Sequence, residues 1–105
     1  MKHYYSVIFP QGTIQKTYRN GVLNHTTYTK YIDYNSQDAA YKVMIEMNGG
    51  YFEKIQVGKR GGKFGRWSST YWVNPKYEYC ETQNDIWDAI EKENLPQIVL
   101  PDIHE

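Results

Sequence analysis

Alternating, aromatic-rich segments near the start of the chain predict β-strands. Residues 3–9 are rich in aromatic and β-branched side chains, and residues 13–19 form a second such segment. Between them, Phe9-Pro10-Gln11-Gly12 is typical of a turn, because Pro presets φ and Gly accepts a positive φ. We therefore expect two strands separated by a turn.

Asn20-Gly21 is the strongest hairpin signal in the chain. It predicts a third strand that begins at Val22 and extends to about Tyr34, so that the first third of the chain is a β-meander. A hairpin closed at this dipeptide pairs Tyr18 with Leu23 and Ile14 with Thr27.

A stripe of apolar residues three and four positions apart predicts an amphipathic helix after residue 35. Ser36 is a favourable N-cap, and Asp38 lies in the first turn, where the helix dipole favours negative charge. Asn48-Gly49-Gly50 ends the helix, since Gly tolerates the left-handed cap. The stripe consists of Ala40, Val43, Met44 and Met47.

The remaining elements are shorter. Residues 51–57, 67–73 and 77–82 are predicted strands, with a break at Asn74-Pro75, and residues 84–93 are a predicted helix. Residues 97–100 lie between two prolines, so they form an edge strand or an extended tail.

The resulting fold class is α+β, with the order β-β-β-α-β-β-β-α. Short connections between strands favour a mostly antiparallel sheet, and we expect the two helices to pack on one of its faces. At 105 residues the chain is expected to form a single domain, 1–105, with 95–105 as an extended tail.

Composition indicates in which cellular compartment the protein is expected. The chain has no apolar run of the roughly 18 residues that a membrane span needs, and its start lacks the features of a signal peptide. Cys80 is the one cysteine and cannot form an internal disulfide. We expect a cytoplasmic protein with no membrane partner.

Catalytic and metal-binding patterns are missing. The histidines, His3, His25 and His104, have no second ligand at helical spacing and lie far from Cys80 in the sequence. Cys80 is interpreted as a small, half-buried apolar side chain rather than as a nucleophile. The sequence therefore predicts no enzyme activity, no cofactor and no metal.

The most distinctive segment is basic, rich in glycine and aromatic. Residues 58–77 carry five cations and no acid, whereas residues 78–105 carry eight acids and one lysine. Cations that follow phosphates and rings that stack on bases are typical of single-stranded nucleic-acid binding. The predicted binding residues are Lys59, Arg60, Lys63, Phe64, Arg66, Trp67, Tyr71 and Trp72.

Two functions remain open for this segment. A protein-interaction or inhibitor module leads, because the chain has eleven Tyr and three Trp, residue types that dominate interface hot spots. Binding of single-stranded nucleic acid or a nucleotide is the alternative, although the zero net charge weighs against it. The segment could also be a solvated turn whose cations are neutralised by the acidic C-terminal third.

The element order resembles a known type of DNA-binding domain. Three strands followed by a helix that opens with Asp38-Ala39-Ala40 are similar to the domains of the plant AP2 and phage integrase arm type, over about residues 3–48. The first three strands lack the dense Arg and Lys of those domains, so no site residue is carried over. Abundant Lys, Asn, Tyr and Ile are compatible with a phage or mobile-element origin.

Overall fold

The computed structural model describes residues 2–57 and 66–105, which form a mixed α+β fold that is mostly sheet. Two α-helices and six strands occur in the order β-β-α-β-β-α-β-β. The elements are β1 Lys2–Arg19, β2 Val22–Tyr34, α1 Gln37–Glu46, β3 Tyr51–Val57, β4 Arg66–Val73, α2 Gln83–Glu93, β5 Ile98–Val99 and β6 Ile103–His104.

β1 is the central strand. The antiparallel order is β2-β1-β3-β4, so β1 has β2 along one edge and β3 along the first part of the other. β5 and β6 pair with the second part of that edge, parallel to β1. Of the two alternatives for residues 97–100, the strand is therefore the correct one, and β6 adds a second short strand within the predicted tail.

The predicted turn at residues 9–12 is wrong, because β1 continues through it. Ile8 lies opposite Tyr31 and Thr13 opposite Thr29. Between these two pairs β1 has four residues, whereas β2 has one. Gly12 takes φ +85° within this surplus, and the Thr13 hydroxyl donates to the Thr29 carbonyl at 2.9 Å. Pro and Gly thus form a bulge rather than a reversal, and the two predicted strands are one.

The hairpin at Asn20-Gly21 is confirmed, with φ +54° and +80° at the two residues. Tyr18 faces Leu23 as expected, but Ile14 faces Tyr28 rather than Thr27. The difference of one position arises because β2 has an extra residue between the partners of Thr17 and Tyr18. A one-residue shift of this kind moves a side chain to the opposite face of the sheet.

α1 and its cap are confirmed. The Ser36 hydroxyl accepts a hydrogen bond from the Ala39 amide at 3.2 Å, and Ala40 and Met44 are buried. The helix is followed by Asn48 in the left-handed region, at φ +56°. The residue that takes the strained backbone is therefore Asn48, and the two glycines after it serve a different purpose.

The predicted strand at 77–82 is wrong. Pro75–Tyr77 is a 3₁₀ helix, which the Asn74 side chain caps by accepting from the Lys76 amide at 3.0 Å. Pro at the first position fixes φ for a helical turn. Tyr77 is fully buried, and its hydroxyl accepts from the Asn48 amide and donates to the Glu93 carboxylate.

The two helices lie on opposite faces of the sheet, not on one face as the sequence suggested. Val7 and Phe52, an opposed pair on β1 and β3, pack in one core with Met44 of α1. Their neighbours Ile8 and Tyr51 pack in a second core with Ile86 and Ile90 of α2. Because successive side chains in a strand alternate between faces, these cores lie on opposite sides of the sheet.

Gly49 and Gly50 pass between the two cores. A Cβ on Gly49 would lie 2.9 Å from Val7 Cγ1, and one on Gly50 would lie 2.8 Å from Ile86 Cγ2 and 2.9 Å from Ile90 Cδ1. The Gly50 amide donates to the Ile8 carbonyl, and the Gly50 carbonyl accepts from the Asn74 amide, both at 2.9 Å. Close backbone approach is thus the reason for this glycine pair.

We expect Gly50→Ala to destabilise the fold by about 1–3 kcal/mol, because the added methyl overpacks the α2 core. Gly21→Asn is the control: nothing lies within 4 Å of a Cβ there, and Asn accepts the positive φ, so its effect should stay within about 0.5 kcal/mol. Denaturant unfolding measures both. Equal stabilities for the two variants would contradict the close approach of the Gly50 backbone to the α2 core.

Candidate binding surface

The helices are too short to cover β1. The 18-residue β1 belongs to a molecule 46 Å in its longest extent, whereas helices of 10 and 11 residues extend over only about 15–17 Å. The radius of gyration of 15.1 Å exceeds the roughly 13 Å typical of 105 residues. The second part of β1, with its partners β2, β5 and β6, therefore extends beyond the two cores.

Cross-strand pairs give this extension an aromatic and aliphatic side. Ile14 pairs with Tyr28 on β2 and with Val99 on β5. Tyr18 pairs with Leu23 and with His104, whose ring stacks on it at 5.1 Å between centroids. Paired residues point to the same side of a sheet. We call this set the hairpin face: Ile14, Tyr18, Leu23, Tyr28, Val99 and His104.

The hairpin face is open to solvent. Tyr28, Val99 and Leu23 are 65%, 75% and 50% exposed, while Ile14 and Tyr18 beneath them are half-buried. The opposite side of the same strands is more closed, because Thr13 and Thr17 are buried and Ile98 packs against the α1 core. A contiguous exposed apolar patch is typical of a contact surface.

A groove of about 670 Å³ adjoins the hairpin face at the β1 bulge. Rings of Tyr28, Tyr31 and Trp87 line it, and the Lys30 ammonium lies 5.1 Å from the centre of the Trp87 ring. Gln11 also lines the groove. Its amide donates to the Asn48 carbonyl at 3.1 Å, and its buried Oε1 has no hydrogen-bond partner among the described residues.

The two strands of the hairpin are nearly free of acidic residues. The first 32 residues contain Lys2, Lys16, Arg19 and Lys30 and no Asp or Glu. Lys16 is exposed on β1 between the two paired rows of the hairpin face. The two hairpin strands therefore add positive charge to the rings and aliphatic side chains, and Asp102, which follows β5, lines a hollow together with Ile14, Lys16 and Val99.

Half of the predicted binding residues lie outside the described residues. Lys59, Arg60, Lys63 and Phe64 fall outside the described residues, so their role stays a prediction. Arg66 and Trp67 are backbone positions in β4, opposite Val57 and Gln56.

The other two predicted residues do not share a surface. Trp72 is half-buried in the α1-side core, where its ring stacks on Phe52 at 4.9 Å and 14°. Tyr71 is 40% exposed on the other side, edge-on to Tyr51 at 5.9 Å. Of this pair, Tyr71 presents part of its side chain to solvent, whereas Trp72 serves mainly to pack the core.

Sequence reasoning missed the hairpin face, although part of its signal was present. The acid-free first 32 residues and Tyr28 were visible. The contribution of Val99 and His104 was not, because it depends on β5 and β6 pairing with β1.

An acidic hollow of about 590 Å³ on α2 carries no comparable chemistry. It is lined by Tyr79, Cys80, Glu81, Asp85, Asp88, Ala89, Lys92 and Glu93. Within residues 2–57 and 66–105, no group of three His, Cys, Asp or Glu is arranged to hold a metal ion. Cys80 is half-buried against the α2 core, as the apolar interpretation expects.

Neither described helix has the length and apolar character needed to cross a membrane. Comparisons with protein-family models, curated proteins and solved structures find no significant match to the chain. The likeness to three-strand DNA-binding domains also weakens, because two strands, not three, precede α1.

Tyr51 contributes to the dependence of the fold's stability on alkaline pH. Burial, then the charges of Glu53 and Tyr71, raise the pKa of Tyr51 from 10.0 to about 12. The folded state thus keeps this proton where the unfolded state loses it, so the stabilisation is complete below about pH 10 and is lost as pH rises toward 12.

We therefore expect the free energy of unfolding to fall between pH 10 and 12, with Tyr51 contributing at most about 1.4 kcal/mol per pH unit. Tyr51→Phe should flatten this dependence, and denaturant unfolding at several pH values measures it. Part of the slope should persist in the variant, since burial also raises the pKa of Tyr34 and Tyr77. Identical slopes for the two proteins would contradict this account.

Proposed function

We propose that the chain is a non-enzymatic binding protein, an interaction or inhibitor module, that docks another protein on the hairpin face. The observation that carries this proposal is the exposure of Tyr28, Val99 and Leu23 on one side of a supported three-strand layer. Apolar side chains held in this way contribute contact area with little loss of conformational entropy on binding.

The surroundings of the hairpin face fit a contact surface. Interfaces combine a central apolar or aromatic region with a polar rim. Here the apolar centre, Ile14 with Tyr28 and Val99, is bordered by Lys16 and by the groove with its Lys30 ammonium. The positive rim favours a partner with an acidic surface.

Affinity capture on a matched pair of variants tests this function. Val99→Lys places a charge on the hairpin face, and Tyr41→Lys places one on an exposed aromatic residue of α1. A partner recovered from the source organism with the wild-type protein should be lost with Val99→Lys, by at least tenfold, and kept with Tyr41→Lys. Quantitative mass spectrometry of the captured proteins measures the difference.

The two results that oppose the proposal are specific. A partner that binds Val99→Lys as well as wild type, or that is lost with Tyr41→Lys alone, would move the contact away from the hairpin face. Circular dichroism on both variants checks that each one folds.

Single-stranded nucleic acid is a second candidate, supported by the charge of the hairpin. The rings of Tyr18, Tyr28 and His104 flank Lys16, and β1 itself carries no acidic residue. Stacking on rings beside a cation suits bases and phosphates, at about 1–3 kcal/mol for each stacked base.

A fluorescent single-stranded oligonucleotide at two salt concentrations tests the second candidate. If nucleic acid binds, Lys16→Gln should weaken binding and reduce the salt slope by about one ion, whereas Lys42→Gln on α1 should not. Loss of salt-sensitive binding with Arg66→Ala and Trp67→Ala instead would place the contact on the segment 59–72. Absence of binding at low salt would exclude this candidate.

A further inference from the structure

β2 is a long edge strand. Its 13 residues pair with β1 along one side, and no other described strand pairs with its outer side. Natural proteins protect such edges with Pro, with charges or with very short strands. β2 has no Pro, and Lys30 and Asp33, near its end, are its only Lys, Arg, Asp or Glu.

The hydrogen bonds of β1 show which β2 residues direct their backbone outward. The Ile14 carbonyl accepts from the Leu100 amide at 2.9 Å, on the side of β1 away from β2. Ile14 therefore forms a non-hydrogen-bonded pair with Tyr28, and the N–H and C=O of Tyr28 point away from β1. By alternation, Thr26, the partner of Lys16, has the same orientation.

Two further residues follow the same rule beyond the irregular positions. The Tyr18 carbonyl accepts from the Glu105 amide at 2.8 Å, so Leu23, the partner of Tyr18, also directs its backbone outward. The Ile8 carbonyl accepts from Gly50, so Tyr31 has this orientation as well, with the Thr29 hydroxyl against its backbone.

These positions are symmetric about one residue. Thr26 and Tyr28 lie one residue on either side of Thr27, and Leu23 and Tyr31 lie four residues on either side. An antiparallel copy of β2 turned about Thr27 would thus oppose Thr26 with Tyr28 and Leu23 with Tyr31. In this register Lys30 faces Asn24, so no like charges meet.

We propose that the protein forms a two-fold dimer in which the outer edges of two β2 strands pair antiparallel about Thr27. Thr26 and Tyr28 supply the hydrogen bonds between the copies, and Leu23 packs against the partner's Tyr31. A second copy is the occupant that this symmetry fits, because an unrelated strand gains nothing from it. The hairpin face stays open, since it lies on the side of the sheet and not at its edge.

Paired substitutions test both the dimer and its register. In Thr26→Lys/Tyr28→Lys, each lysine opposes another across the dimer, whereas in Thr26→Lys/Tyr28→Glu each lysine opposes a carboxylate. Sedimentation equilibrium over a hundredfold concentration range should show wild type and the Lys/Glu variant reaching twice the 12.5 kDa chain mass. The Lys/Lys variant should stay monomeric, with a dimer dissociation constant at least tenfold higher than that of the Lys/Glu variant.

Other outcomes overturn the proposal. A wild-type protein that stays monomeric throughout, or a Lys/Lys variant that dimerises as tightly as the Lys/Glu variant, would exclude pairing in this register. Circular dichroism establishes that both variants are folded. Thr70→Lys, on the exposed surface of edge strand β4, is the control and should leave the wild-type assembly unchanged.

Discussion

The difference in length between one long strand and the two short helices that pack on it is the constraint on which the rest of this structure depends. The first part of β1 is enclosed, because Val7 and Phe9 face α1 while Ile8 faces α2. The second part has strands beside it, but neither core reaches its outer half. Backbone hydrogen bonds to the neighbouring strands hold this second part of β1 in place, but no helix covers its side chains on the hairpin face.

The connection from α1 to β3 makes the enclosed part possible. Gly49 and Gly50 let the backbone pass where Val7, Ile86 and Ile90 leave no room for a Cβ. Asn74 fixes the same crossing through its side-chain amide, which donates to the Gly49 carbonyl at 2.7 Å. Both helices thereby pack on the sheet next to the Gly49-Gly50 crossing, and the hairpin extends away from this crossing.

Local signals predicted local structure well. Ser36 and the apolar stripe of α1 agree with the structure, and so do residues 51–57 and Asn20-Gly21, because each of these patterns depends on neighbours in sequence. Predictions failed where tertiary pairing decides. Pro10 and Gly12 are typical of a turn in the sequence. In the structure β1 stays extended there, because β2 pairs with it along one edge and the C-terminal strands pair with it along the other.

The candidate site was harder to predict for the same reason. Ile14 and Val99 are 85 residues apart in the sequence, with Tyr28 between them, and only the sheet brings the three together. The basic segment was conspicuous because its residues are consecutive. The side of the sheet to which each ring points could be assigned only once the strand register was known. Tyr71 and Trp72 are adjacent in sequence and face opposite sides.

Solvent access at two neighbouring residues tests the central claim, that the sheet just beyond the β1 bulge is covered on one side at Ile98 and open on the other at Val99. Ile98 packs against the α1 core, whereas Val99 lies on the hairpin face. Methyl NMR signals should be broadened by a dissolved paramagnetic agent strongly at Val99 and weakly at Ile98, with buried Val7 as the reference. Protection of Val99 to the level of Val7 would contradict the account.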